Sequence, residues 1–290
     1  MPPTDLTDRV VVLTGATSGI GRRAAATLAE RGATVAAVGR DRERGATLAA
    51  ESEAAAGTVR FHRADLATQS AVRDLAADLR DSYDRLDVLA HNAGLSAGAR
   101  TETADGIELT LAVNHLAPYL LTRELFDRLA ASAPARVVVT ASDLHRRATL
   151  DFDDLEMAAD YDPLEAYARS KLANVAFTLE LADRIGADAG VTANCLHPGF
   201  VPSTNLFRDA ALRTRLAVRV AGLLPGVGTT RRAAAERLVR LIAASEYGEQ
   251  TGRYVGEEEL TPADEARDPE TRKQLWAVSA DRVGVDPDWP

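Results

Sequence analysis

Tyr167 and Lys171 stand four residues apart in the segment YARSK, so a helix there puts phenol and ammonium on one face, within reach of a common ligand. A phenol with its ordinary pKa of about 10 is a poor acid or base near neutrality, and a neighbouring ammonium is expected to stabilise phenolate and correct that. The pair therefore suggests proton exchange with an oxygen on a bound small molecule. A second cluster, TGATSGIG, follows directly on an apolar run and places Gly15, Gly19 and Gly21 at the opening of a helix. Small residues let backbone approach a phosphate closely, and the helix N-terminus offers unpaired N–H groups and a favourable dipole. The spacing is G-x-x-x-G-x-G, which departs from the G-x-G-x-x-G dinucleotide fingerprint.

These residues need a scaffold, and the chain alternates short β-branched runs with longer Ala-rich amphipathic stretches. Strands are expected at 9–15, 34–39, 58–62, 86–94, 135–142 and 191–199. Helices are expected at 20–31, 42–56, 71–82 and 107–129, and through Tyr167 to residue 185. Such a rhythm means βαβ units, which make a doubly wound, Rossmann-type α/β fold: a parallel sheet with helices on both faces. One domain spanning 1–290 accommodates it. Two stretches break the rhythm, the polar, acidic 143–165 and the apolar, Arg-dotted 202–228. Both follow strand ends on the edge where such sheets bind ligands, and are expected to cover a substrate.

Composition narrows the classes further. Hydrophobic residues make up 46% of the 290 and aromatics only 5%, a mixture suited to helices packed on a buried sheet. The net charge of −9 opposes nonspecific attraction to nucleic acid or anionic membrane. The N-terminus lacks a basic region followed by a long apolar stretch, so neither signal nor membrane anchor is expected, and the default location is cytoplasmic. The single cysteine, Cys195, excludes an intrachain disulfide and reads as an inert buried thiol inside an apolar strand. The acidic run Asp151, Asp153, Asp154 and Glu156 lacks the central glycine and terminal glutamate spacing of a calcium loop. It reads as solvated, and no metal is expected.

In order and spacing, from about Asp8 to Tyr254, these motifs resemble the short-chain dehydrogenase/reductase family. The resemblance implies an oxidoreductase that moves a hydride between a nicotinamide and a carbonyl or alcohol substrate. Gly15, Thr17, Ser18, Gly19, Ile20 and Gly21 would then cradle the pyrophosphate. Where an acidic side chain would bind the ribose of NAD, the chain has Gly39 and Arg40, and a guanidinium suits the 2′-phosphate of NADP. Arg22 reads equally as a helper or a solvated helix residue, and Asp41 could reach a free ribose hydroxyl but reads better as the start of the next helix. By resemblance, Asp65 and Leu66 cap the adenine, while Asn92, Ala93 and Gly94 form the turn after the fourth strand. Ser142 would hydrogen-bond the substrate oxygen, Tyr167 act as acid in reduction and base in oxidation, and Lys171 hold the nicotinamide ribose. Thr140 is set deeper in the sheet than Ser142 and is the weaker choice for that hydroxyl.

Asn114 matches the family's fourth catalytic position. Pro118, four residues later, has no N–H, so the Asn114 carbonyl is expected to be free to hold a water connecting Lys171 to solvent. Pro198, Gly199 and Val201 resemble the turn beside the nicotinamide, with Thr204 or Ser203 bonding its carboxamide. His197 reads as structural and His145 as a solvated loop residue. The segments SDLHRRATLDFDDL, YARSKLANVAF and LWAVSADRVGV, with a long gap from Ser142 to Tyr167, are similar to the retinol-dehydrogenase-like branch. Retinoid specificity does not carry over, and that branch implies only an apolar or lipid-like carbonyl or alcohol, with NADP(H) expected from Arg40. Relatives assemble as homodimers or homotetramers through the helices carrying Asn114 and Tyr167, although the chain could cover those faces itself. Two other readings fit the same motifs: a non-catalytic NADP-binding sensor or scaffold, and a nucleotide-sugar epimerase using the same Tyr and Lys.

Overall fold

The computed structural model describes residues 5–201 and 228–290. Its first half alternates β1 (Val10–Thr14), α1 (Gly19–Glu30), β2 (Thr34–Gly39), α2 (Arg42–Glu51), β3 (Thr58–Arg63), α3 (Gln69–Ser82) and β4 (Val88–His91). A short α4 (Leu109–Leu111) runs into a π-helical turn at Ala112–Leu116 and then α5 (Ala117–Ala131). After β5 (Ala135–Thr140) come α6 (Pro163–Arg184), β6 (Val191–Leu196) and α7 (Arg231–Ala243). The chain closes with β7 (Tyr254–Val255), β8 (Glu259–Leu260), α8 (Asp264–Arg267) and α9 (Pro269–Val283).

The strands form one sheet in the order β3-β2-β1-β4-β5-β6-β7-β8. All pairings are parallel except the last, where β8 runs antiparallel to β7. Strand order reverses between β1 and β4, which opens a crevice beyond their carboxyl ends. The strands read as nearly unbroken apolar runs because helices cover both faces: all of β1, β4 and β6 is buried. Successive side chains alternate between faces. Val12 packs into the core with Leu75, Leu120 and Leu172 from α3, α5 and α6, whereas Val11 and Leu13 meet Leu28 of α1 and Leu238 of α7. The expected doubly wound fold is what the chain forms.

Three expectations on element bounds need correction. Helix α2 stops at Glu51 rather than 56, because Ser52 becomes its C-cap and turns its hydroxyl back onto the Leu48 carbonyl at 2.9 Å. The single helix expected at 107–129 begins at Leu109, where the Glu108 carboxylate caps it by accepting from Thr110 and Leu111 N–H, and it is interrupted by the π turn. The stretch 143–165 is not open loop throughout. It starts with a 3₁₀ turn at Asp143–Arg147 and ends inside α6, which Asp162 caps by accepting from Leu164 and Glu165 N–H. The expected cover 202–228 lies, Gly228 apart, outside the described residues. Among the described residues no helix is long and apolar enough to cross a membrane.

At the opposite edge of the sheet, Asp87 is 2% exposed and gathers Val10 N–H at 2.8 Å, Arg9 at 2.6 Å and Arg85 at 2.5 Å. Removing the carboxylate strands a buried N–H while both guanidiniums can turn to solvent, so D87A is expected to cost roughly 2–3 kcal/mol. Urea unfolding with an unchanged m-value measures it.

Candidate active site

The glycine loop is locked to the turn after β4. The Thr14 hydroxyl accepts N–H groups from Asn92 at 3.0 Å and Ala93 at 3.1 Å, and the Asn92 amide donates to the Thr14 carbonyl at 3.1 Å. Gly15 adopts φ +67°, and a methyl there would sit 2.8 Å from Ala93 Cα. A methyl on Gly21 would lie 2.2 Å from the Gly15 carbonyl oxygen. Above Gly19, also at positive φ, the space is open. The loop is closed toward the protein and open toward a cavity of about 720 Å³.

Nearly all the residues singled out for cofactor binding line that cavity: Gly15, Thr17, Ser18, Gly19, Ile20, Gly21, Arg40, Asp65, Leu66, Asn92, Ala93, Gly94, Pro198, Gly199 and Val201. Arg40 is half exposed and 4.0 Å from Asp65. Arg44, which the sequence reading passed over, lines the same cavity, and its place in the basic run RDRER after β2 could have found it. Asp41 caps α2 by accepting Arg44 N–H at 3.1 Å and pairs with its guanidinium, so its carboxylate is already engaged. Arg22 is not in the wall; it pairs with Glu51. Arg231, at the start of α7, was missed because nothing local links it to the glycine loop.

Ser142, Tyr167 and Lys171 converge on the same cavity. Ser142 leaves β5 in extended conformation, its hydroxyl accepts Leu144 N–H at 3.3 Å and hydrogen-bonds the Tyr167 side chain. Lys171 lies 5.6 Å from the Tyr167 ring centroid and donates to the Thr140 carbonyl at 2.9 Å. The electrostatics correct the expectation of an acidified phenol. Burial pushes Tyr167 up to about 12, and the opposing influence is the Ser142 hydrogen bond rather than the ammonium. Burial likewise pulls Lys171 down to about 8.

Asn114 is fully buried behind the cavity wall. Its side-chain amide pairs with the Leu95 backbone in both directions, at 2.8 Å each, and donates to the Ser170 hydroxyl at 2.9 Å. It thereby fixes the chain after Gly94. Asn114 itself sits in the π-helical turn Ala112–Leu116, which Ala117 N–H closes by donating to the Ala112 carbonyl. Thr140 contributes its carbonyl; its buried hydroxyl has no hydrogen-bond partner among the described residues.

His145 is not solvated. It is fully buried, with one ring nitrogen on the Ser142 carbonyl and the other accepting Ala263 N–H. His197 accepts Asp143 N–H at 3.1 Å and holds the loop after β5. Arg237 supports the Pro198–Gly199 turn by donating to the Pro198 carbonyl at 2.9 Å. Cys195 is a free buried thiol pushed up to about 12 by burial. In the acidic run, Asp151 and Asp154 cap turns, while Glu156 is largely buried against Arg100 and Arg282, contrary to a solvated loop. Ser203 and Thr204 lie outside the described residues.

The residues present fit a dinucleotide. The glycine loop offers backbone rather than side chains, Arg40 and Arg44 offer guanidiniums for a phosphate, and an orphaned Thr140 hydroxyl lies in the wall. Leu95, Ala97, Leu109, Val113 and Leu144 add an apolar stretch to the remaining wall, which Ser96 and Arg231 also line.

Comparison with known proteins agrees with this geometry. The profile of the short chain dehydrogenases matches residues 9–215. Human retinol dehydrogenase 13 is 36% identical over 96% of this chain and 85% of its own length. DnrU of Streptomyces sp. (strain C5), a candidate daunorubicin C-13 ketoreductase, is 39% identical over 98% and 95%. Among solved structures, an uncharacterised protein from Mycobacterium paratuberculosis superposes with a TM-score of 0.80 at 30% identity, covering 99% of this chain and 98% of its own. The Pseudomonas aeruginosa RhlG/NADP active-site complex gives 0.70 at 25% identity, covering 89% and 98%.

The Lys171 ammonium opposes folding below pH 8 and ceases to do so as pH rises toward the unfolded value of 10.5. Between those limits the unfolded chain binds the extra proton, so stability rises with pH, by up to about 1.4 kcal/mol per pH unit. The unfolding free energy of the wild type minus that of K171M should therefore shift toward the wild type by roughly 3 kcal/mol between neutral and strongly alkaline solution. A flat difference in denaturant titrations would refute the buried ammonium.

Proposed function

This chain belongs to the short chain dehydrogenase family, in its retinol-dehydrogenase-like branch, and from that premise we propose that it is an NADP(H)-dependent oxidoreductase acting on apolar carbonyl or alcohol substrates. The observation that carries the reading is the convergence of Ser142, Tyr167 and Lys171 on one cavity with the glycine loop. A bound nicotinamide supplies or accepts the hydride. The protein's own work is positioning and proton transfer. Ser142 donates a hydrogen bond to the substrate oxygen and stabilises the charge that develops there. Tyr167 gives that oxygen its proton in reduction. Lys171, anchored on Thr140, holds the ribose side of the cofactor and returns positive charge to the phenol's surroundings.

Preference for the phosphorylated dinucleotide rests on Arg40 and Arg44, with Asp41 withdrawn into the α2 cap. The apolar stretch of the wall and the names of the relatives support a substrate that is mostly hydrocarbon around its reacting group. Following the nicotinamide absorbance with a panel of aldehydes, ketones and alcohols tests the activity. Y167F is expected to lower kcat at least about 100-fold while NADPH binding stays within about twofold. The double variant R40A/R44A is expected to raise KM for NADPH more than about tenfold and leave KM for NADH nearly unchanged, because each lost charge-assisted bond is worth roughly 1.5 kcal/mol or more. Equal losses with both cofactors would remove the NADP assignment.

A further inference from the structure

We propose that His145 is a positioning residue, a neutral imidazole that fixes the backbone of Ser142 by tying it to the C-terminal segment of the chain. The inference rests on the functional reading above, which gives Ser142 its task. The Ser142 carbonyl accepts two N–H groups from the same residue, the His145 backbone at 3.1 Å and its Nδ1 at 2.8 Å. On the far side of the ring, Ala263 N–H donates to Nε2 at 3.0 Å. A backbone amide has only a proton to give, so Nε2 must be bare and the proton must sit on Nδ1. Both nitrogens are thus committed, and the tautomer is set by the chain itself. The ring is fully buried and packs edge-on against Tyr254, centroids 5.0 Å apart.

Neighbouring bonds show that this is a seam rather than a lone contact. Arg146 donates to the Thr261 carbonyl, and Leu150 N–H donates to Glu265 Oε1 at 2.6 Å. The segment that follows Ser142 is therefore laced to residues 261–265. Ser142 sits between β5, whose register is fixed by β4 and β6, and this seam. Its hydroxyl bonds the Tyr167 side chain, and the aim of a hydroxyl on a short side chain follows the backbone that carries it. Small errors of aim matter, since a displacement of about 1 Å at a catalytic group can cost about 100-fold in rate.

The test combines kinetics with the state of the ring. In H145A, kcat is expected to fall about 10- to 100-fold with KM for NADPH within about twofold, since the glycine loop is untouched. H145N keeps a donor near the Nδ1 position and is expected to recover kcat to within about threefold of the wild type. H145Q keeps only an acceptor for Ala263 and should stay low. Nitrogen-15 NMR of labelled histidine on the wild-type protein should show His145 neutral with the proton on Nδ1, and this arm needs no turnover. A proton on Nε2, or an unchanged kcat in H145A while Y167F is dead, would overturn the proposal. Full turnover in Y167F would instead bring down the functional reading, with the ring's tautomer still reporting on the tie. If H145A does not fold, the contrast between H145N and H145Q decides.

Discussion

A lysine ammonium held out of water against the Thr140 carbonyl is the constraint on which this site is built. Burying a charge is costly unless it is well partnered, and here the partner is a backbone group at the end of a central strand. That choice couples Lys171 to the sheet itself. The carbonyl can present itself only if β5 keeps its register between β4 and β6. Helix α6 must pack so that Tyr167 and Lys171 face the crevice, which Ala168, Leu172 and Val175 secure by burial on the core side. The packing of the fold and the placing of the chemistry are therefore one requirement.

Most of this architecture could be read from the chain before its structure was known, because it rests on local signals. The strands are apolar runs of the right length, the glycines stand where a turn and close approach demand them, and Tyr167 and Lys171 share a helix face by spacing alone. What escaped reading depends on contacts between distant segments. His145 looks like a polar loop residue until Ala263, more than a hundred positions away, supplies the other half of its environment. Glu156 reads as solvated until Arg282 arrives from α9. The π turn around Asn114 was hidden for a related reason: Pro118 signals a disturbed helix, but whether a carbonyl is freed or the winding shifts is decided by packing.

The C-terminal segment shows how much such distant contacts accomplish. Trp276 and Trp289 meet Tyr119 of α5, with ring centroids 5.0 and 5.1 Å apart, and Trp276 stacks on Phe177 of α6. Ser279 reaches His115, next to Asn114, at 2.8 Å. The helices that carry Asn114 and Tyr167 are thus clasped from outside by the chain's own end. Their apolar faces, which an isolated reading of α5 and α6 would offer to a second copy, are occupied over this region by α9 and the tryptophan that follows it.

The electrostatics also bear on the direction of proton flow. A buried phenol pushed up to about 12 keeps its proton throughout the neutral range, so under the proposed function Tyr167 would start as an acid rather than as a base. An alkoxide forming on a reduced carbonyl is a stronger base than phenolate, so the transfer runs downhill without prior activation. Oxidation asks for the opposite, a phenolate formed in advance in a dry cavity, against the same burial that shields it. Burial pulls Lys171 down to about 8, which leaves it mostly an ammonium in neutral solution, and in the proposed reaction its charge is what stands against that cost. Both effects come from the burial of two side chains that α6 places on one face, the same pair that the four-residue spacing singles out.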